Sequence, residues 1–286
     1  MAAAERLVED WRRADREGRR VAVSGRWGTA EGFVAAPTRP SGGWLGGGRR
    51  PADAECTVLV APQWPGIEDA PACADVDRAL FAALLRAGHA VAHMRSFVPA
   101  ADCDAGGYSE AISDILGASC GTTRPALAGA WLAGTACAAA STNHEGLAFL
   151  CLVSAPSAEV LTRRTPENED DPSWVESPSL RLADGLAALS PLEAVTVHDR
   201  PVLLVGGAAD RLLPAAHLES WRASLEAASR PCEAVELAFL DAFLRPVDDA
   251  GRQDSDAGEG RVLMAATVEP WTRAAVSRGS PARRAR

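Results

Sequence analysis

The chain has 286 residues, 47% of them hydrophobic, and a formal net charge of −9 at pH 7. That length can bury a large core, as one α/β domain or two small ones. The acidic balance removes the electrostatic basis for nucleic-acid binding, and no apolar run approaches the roughly 18–20 residues that cross a bilayer.

The opening stretch, MAAAERLVEDWRRADREGRR, is charged from Glu5 onward and has no signal-peptide core. It predicts an amphipathic helix over 1–20 with Leu7, Val8 and Trp11 on one side, in a cytoplasmic protein. Residues 21–37 predict a two-strand hairpin turning near 25–28, and 38–53 a Gly-rich loop. CTVLVAP (56–62) reads as a strand, followed by a helix whose C-cap is Gly88. HAVAHMR is the next strand, then a loop to Gly107 and a helix over 108–116. PALAGA is a strand, an Ala-rich helix follows it, and GLAFLCLVSAP (146–156) is a buried strand. Acidic, proline-bearing residues 170–178 predict a mobile part of a cap or lid over about 155–190, closed by a short helix. RPVLLVGG (200–207) is a strand, 217–228 a helix with Trp221 and Leu225 on one face, and CEAVELAFL the last strand. A flexible connector leads to a final helix carrying Pro270, and 277–286 is an Arg-rich disordered tail. Strands alternating with helices of ten or more residues imply a parallel sheet covered on both faces, here one domain over 21–276.

All 29 basic residues are Arg, a coding bias rather than a functional signal. The seven cysteines, Cys56, Cys73, Cys103, Cys120, Cys137, Cys151 and Cys232, are odd in number and show no C-x-x-C spacing. They are expected as small buried hydrophobes. His89, His93, His144, His198 and His217 are scattered, so neither a metal nor another cofactor is expected.

The chemistry-bearing segment is RPALAGAWLAGTACAAAST (124–142). An apolar run ends at Gly129, a tight turn of small residues follows, and a helical stretch comes next. This is the strand–turn–helix context in which a glycine-flanked Ser presents its hydroxyl above a sheet, but the central residue is Trp131. A literal Gly-x-Ser-x-Gly stands at 117–121, in the reverse order of helix, loop and strand. It is expected as a plain connecting turn, with Ser119 or Cys120 as a displaced nucleophile the alternative.

Four segments, in order, resemble the α/β-hydrolase superfamily, particularly its small dienelactone-hydrolase-like and short esterase-like bacterial members. TVLVAPQWPG is similar to the first buried strand and oxyanion loop, and PALAGAWLAG to the strand and nucleophile elbow. ALSPLEAVTVHDRPVLLVGGAADRLLP is similar to the late strand with the acid loop. VELAFLDAF is similar to the last strand and the turn that supplies the histidine. The resemblance implies an α/β fold: a mainly parallel, doubly wound sheet with an N-terminal helix and hairpin and a short cap. It aligns Asp210 with the catalytic acid, Trp131 with the nucleophile, Ala242 with the histidine just after a retained Asp241, and Ala61 with the first residue of the oxyanion loop.

A serine attacks only when a base takes its proton, and the acid merely orients that base. Asp210 alone does neither, and its simplest role is a vestigial helix cap. The backbone N–H of Leu132 does not depend on a side chain and leaves an oxyanion donor, but bulky Trp131 is expected to occupy the space a substrate needs, so no residual catalysis is expected from it. Gln63 and Trp64 are expected at the old cleft mouth, where with Trp131 they either wall a pocket or plug a dead cleft. The implied protein is a pseudoenzyme that binds a small apolar ligand or a protein partner, with no nucleic acid and no membrane. Two alternatives stand beside it: lyase- or cyclase-type chemistry using Asp210, and an ester hydrolase using Ser119.

Overall fold

The computed structural model describes residues 2–37, 54, 56–65, 70–157, 178–197, 199–209, 216–241, 243–247 and 258–278. Helix α1 (Ala2–Glu17) leads into a hairpin of β1 (Arg19–Gly25) and β2 (Gly28–Ala35). There follow β3 (Cys56–Val60), α2 (Ala70–Arg86), β4 (Ala90–Pro99), α3 (Ala105–Cys120), β5 (Arg124–Ala130), α4 (Trp131–Ala140) and β6 (Leu150–Val153). After these come α5 (Pro178–Ala188), α6 (Pro191–Ala194), β7 (Val202–Gly207), α7 (Ala216–Ala227), β8 (Cys232–Leu237) and α8 (Gly258–Arg278).

The eight strands form one sheet in the order β1-β2-β4-β3-β5-β6-β7-β8. β1, β2 and β4 pair antiparallel, and every pair from β4 across to β8 is parallel. β3, β6 and β7 are buried along their whole length, as unbroken apolar strands must be when helices cover both faces. One face carries α1, α2 and α8 around Phe33, Phe81 and Phe149; the other carries α3 to α7 around Tyr108, Ile112 and Trp221. The fold is the doubly wound α/β arrangement with an N-terminal helix and hairpin.

Three stretches differ from the sequence reading. β4 runs on to Pro99 through what reads as loop, because its second half pairs antiparallel with β2, Gly28 opposite Pro99. α3 is longer than 108–116: Asp104 caps it, its side chain accepting the N–H of Gly107 at 2.8 Å, and it continues to Cys120. The literal motif at 117–121 is therefore the last turn of a helix and its Gly121 terminus (φ +56°) rather than a connecting turn. β6 keeps only four residues of the eleven in GLAFLCLVSAP. Most of the expected cap, connector and tail lies outside the described residues; where they are described, the end of the connector (258–260) and the start of the tail (277–278) are helical, as the two ends of α8.

Candidate functional site

Parallel strands of one sheet end together at their carboxyl edge, and the loops that leave that edge are where α/β proteins hold ligands. In this chain four such loops meet, following β3, β5, β7 and β8.

The corner between β5 and α4 comes from local sterics. Strand ends at Ala130 (φ −110°, ψ 153°) and helix begins at once at Trp131, which takes φ +52°. An L residue with a large side chain occupies that left-handed region only at a cost of about 1–3 kcal/mol. The turn is tight enough that a Cβ on Gly129 would stand 2.9 Å from the backbone of Ala133. Only glycine fits there, so Gly129 is explained by close backbone approach. The geometry is that of a nucleophile elbow, and the side chain displayed on it is an indole.

Trp131 is half-buried and packs on the ring of Phe243, centroids 5.4 Å apart. Phe243 belongs to the loop after β8, whose organiser is Asp241, itself 3% exposed. Its Oδ1 accepts the N–H groups of Phe243 and Arg245, each at 2.9 Å, and its Oδ2 accepts Arg245 Nε at 2.7 Å. The Arg245 guanidinium then lies 4.9 Å over the Phe243 ring, a cation–π contact. The retained aspartate thus shapes a loop that delivers an aromatic ring to the elbow.

The loop after β7 is tied to the same place. Ala209 N–H donates to Leu240 O at 3.0 Å and Ala208 N–H to Leu237 O at 3.0 Å. A side chain on Gly207 would strike the carbonyls of Leu240 and Asp241. Asp210 and Ala242 lie outside the described residues, but their neighbours Ala209, Asp241 and Phe243 fall within this meeting of loops.

The loop after β3 is fastened from two sides. Ala61 is buried, and its N–H donates to Ala128 O at 3.0 Å. Tyr108, fully buried in α3, donates its hydroxyl to Pro62 O, and burial holds that phenol well above its ordinary pKa. Trp64 packs tilted against Phe97 (centroids 5.7 Å apart) and edge-on to Tyr108 (5.2 Å). Its ring contacts are with that cluster, whereas those of Trp131 are with Phe243. Gln63 turns its amide inward: Nε2 donates to Ala130 O at 3.1 Å and to the carboxylate of Asp77 at 3.1 and 3.3 Å. Asp77 is 4% exposed, and burial pushes its carboxyl up to about 7. Leu132 is buried at the helix start, where first-turn N–H groups have no intrahelical acceptor.

The other sequence candidates stand apart. Ser119 is 4% exposed and gives its hydroxyl to Ile115 O at 2.7 Å, and burial drives the Cys120 thiol up to about 12. Neither resembles an activated nucleophile. His89 packs on Phe149 and His93 among Trp11, Phe33 and Phe81, and burial pulls both down to about 4. His144 precedes β6, at the opposite edge of the sheet. Among the described residues, then, no imidazole borders the elbow. His198 and the side chain of His217 lie outside the described part.

Sequence reasoning missed three residues here. Asp77 and Phe243 carry no local signal. Ser154, at the end of β6, takes φ +47° with a buried hydroxyl that has no hydrogen-bond partner, beside the elbow helix whose Thr135 donates to Pro156 O at 2.7 Å.

No protein-family model matches the sequence, and no curated protein matches it. Solved structures do. An esterase domain from Rhodothermus marinus superposes with a TM-score of 0.58 at 16% identity, over 90% of this chain and 98% of that one. Est1E from Butyrivibrio proteoclasticus gives 0.61 at 14%, over 91% and 100%. A lidless α/β serine hydrolase from Xanthomonas campestris gives 0.56 at 16%, over 93% and 96%. The chain has the α/β-hydrolase fold.

Proposed function

We propose that this protein is an α/β-hydrolase-fold pseudoenzyme, without serine-hydrolase activity, that acts by binding a small apolar ligand or a protein partner. The observation that carries the reading is Trp131: the strained left-handed residue of the elbow, where attack needs a hydroxyl or thiol, is an indole packed on Phe243. Indole offers no nucleophile, and a side chain of that size at this position leaves little room beside it for a substrate carbonyl. The alignment of Ala242 with the histidine supports the same reading, since a base is needed as much as a nucleophile.

The test is direct. Purified protein exposed to a fluorophosphonate probe remains unlabelled, and p-nitrophenyl esters are hydrolysed at the buffer rate. Stoichiometric labelling of any serine overturns the reading.

A further inference from the structure

Arg200 stands just before β7, at the amino edge of the sheet and so at the end opposite the cleft. It is 2% exposed, and charged side chains are almost never so deeply buried unless paired. Its Nη2 is engaged. It donates to Ser141 Oγ at 2.5 Å and to Ala194 O at 3.1 Å, which ties the turn after α4 (Ser141–Asn143) and the end of α6 to the sheet. Ser141 gives its own hydroxyl hydrogen to Ala138 O. These bonds use less than half of the donors a guanidinium carries. Nε and Nη1 are buried with no hydrogen-bond partner.

The surroundings add positive charge rather than negative. Burial, with Arg230 beside it, pulls Arg200 down only to about 10, so it stays charged at neutral pH. His144, at the end of the same turn, is held below its ordinary pKa by burial and by Arg200, and its Nε2 is also buried without a partner. Arg230 spends its N–H groups on Thr196 O at 2.8 Å and Val197 O at 3.5 Å. Asp199 is 78% exposed and meets Arg230, at 4.0 Å. Among the described residues no carboxylate pairs with Arg200. The carboxyl end of α4 supplies a partial negative charge only. A buried cation left uncompensated costs several kcal/mol. A water molecule would satisfy its N–H groups but not its charge.

We propose that Arg200 is the centre of an anion site at the amino edge of the sheet, which takes a small monatomic anion such as chloride against its free N–H groups. The enclosure selects the size. An oxyanion brings several oxygens that each need a donor, whereas the only other unspent side-chain nitrogen described here is His144 Nε2. A halide needs no particular geometry. Through Arg200 the ion joins α4, α6 and β7, and it stabilises the folded chain in proportion to its occupancy. The site lies apart from the elbow and does not rest on the reading of the cleft.

The experiment is urea unfolding of the full chain over about 1 to 300 mM chloride, with ionic strength held constant by gluconate. Above the dissociation constant, each tenfold rise in chloride raises the wild-type folding equilibrium constant about tenfold, and bromide acts alike. Arg200→Met keeps the apolar stem, removes the charge and gives a midpoint indifferent to chloride. Should that variant not fold, wild-type crystals grown in bromide decide the matter, with an anomalous peak expected beside Arg200 Nε or Nη1. Wild-type stability that ignores chloride, a dependence that survives in Arg200→Met, or ordered water in place of bromide overturns the proposal. Stabilisation by phosphate but not by halide overturns the choice of ion.

Discussion

Residues 117–121 and 129–133 both carry hydrolase-like spacing, close together in the chain, and the fold treats them in opposite ways. The first has the letters Gly-Ala-Ser-Cys-Gly and becomes a helix end, with Ser119 bonded back to its own helix at Ile115 O. The second reads Gly-Ala-Trp-Leu-Ala and makes the strained strand-to-helix corner. An elbow is thus defined by steric conditions on the backbone. It needs a strand ending into a helix and a glycine where the two backbones meet, and Gly129 meets that requirement while the central side chain is free to change. Gly117 has nothing within 4 Å of where a Cβ would be, so the glycine of the literal motif answers no such need.

The strongest way to break this comparison is to exchange its glycines. Gly129→Val forces a branched side chain into the backbone of Ala133 and should cost about 4 kcal/mol or more, read from urea midpoints. Gly117→Ala, in an open helical position, should stabilise by about 0.5–1 kcal/mol. Equal effects at the two glycines would remove the steric distinction.

Next in size is the pH dependence behind the elbow. The folded pKa of Asp77, about 7, lies above its ordinary value of 3.8. Between those values the native state holds a proton that the unfolded chain has lost, so this group's contribution to stability is greatest below about 4. It then declines as pH rises to about 7, by up to ~1.4 kcal/mol per pH unit. His89 and His93, pulled down to about 4 from 6.5, act in the other sense between those values. The clean quantity is therefore wild-type stability minus that of Asp77→Asn, which should fall by a few kcal/mol from pH 4 to pH 8. A difference independent of pH would show that Asp77 titrates normally.

Smaller effects sharpen the picture at the central residue. Trp131→Gly and Trp131→Ala both lose the contact with Phe243, but glycine accepts φ +52° without strain. The glycine variant should be the more stable of the two by about 1 kcal/mol in chemical denaturation. Trp131→Ser should remain unreactive toward fluorophosphonate, because a hydroxyl without a base is not a nucleophile. Smallest of all, Ser119→Ala removes a hydroxyl bonded to its own helix and should cost under about 1 kcal/mol by thermal melting.

Much of this was legible beforehand, for a physical reason. Runs such as TVLV and VLLVGG are apolar without alternation because helices cover both faces of the sheet, so their burial is written in consecutive letters. The elbow was legible because its cause is local, a matter of which side chains fit between Gly129 and Ala133. Where the reading fell short, distant segments decided. The second half of β4 looks like loop until β2 pairs with it, and α3 outruns its polar pattern through the Asp104 cap and burial of its far turn.

By itself, the amino-acid sequence determined the order of strands and helices, the corner at 129–131 and the indole that stands on it. Only the tertiary structure decided what that indole meets and what lies behind it. Phe243 reaches Trp131 from the last loop, and the Gln63 amide joins Ala130 and Asp77 across separations of 67 and 14 residues. Such contacts depend on how strands are ordered in space, and a buried carboxyl acquires its unusual proton affinity only once the fold has taken the water away.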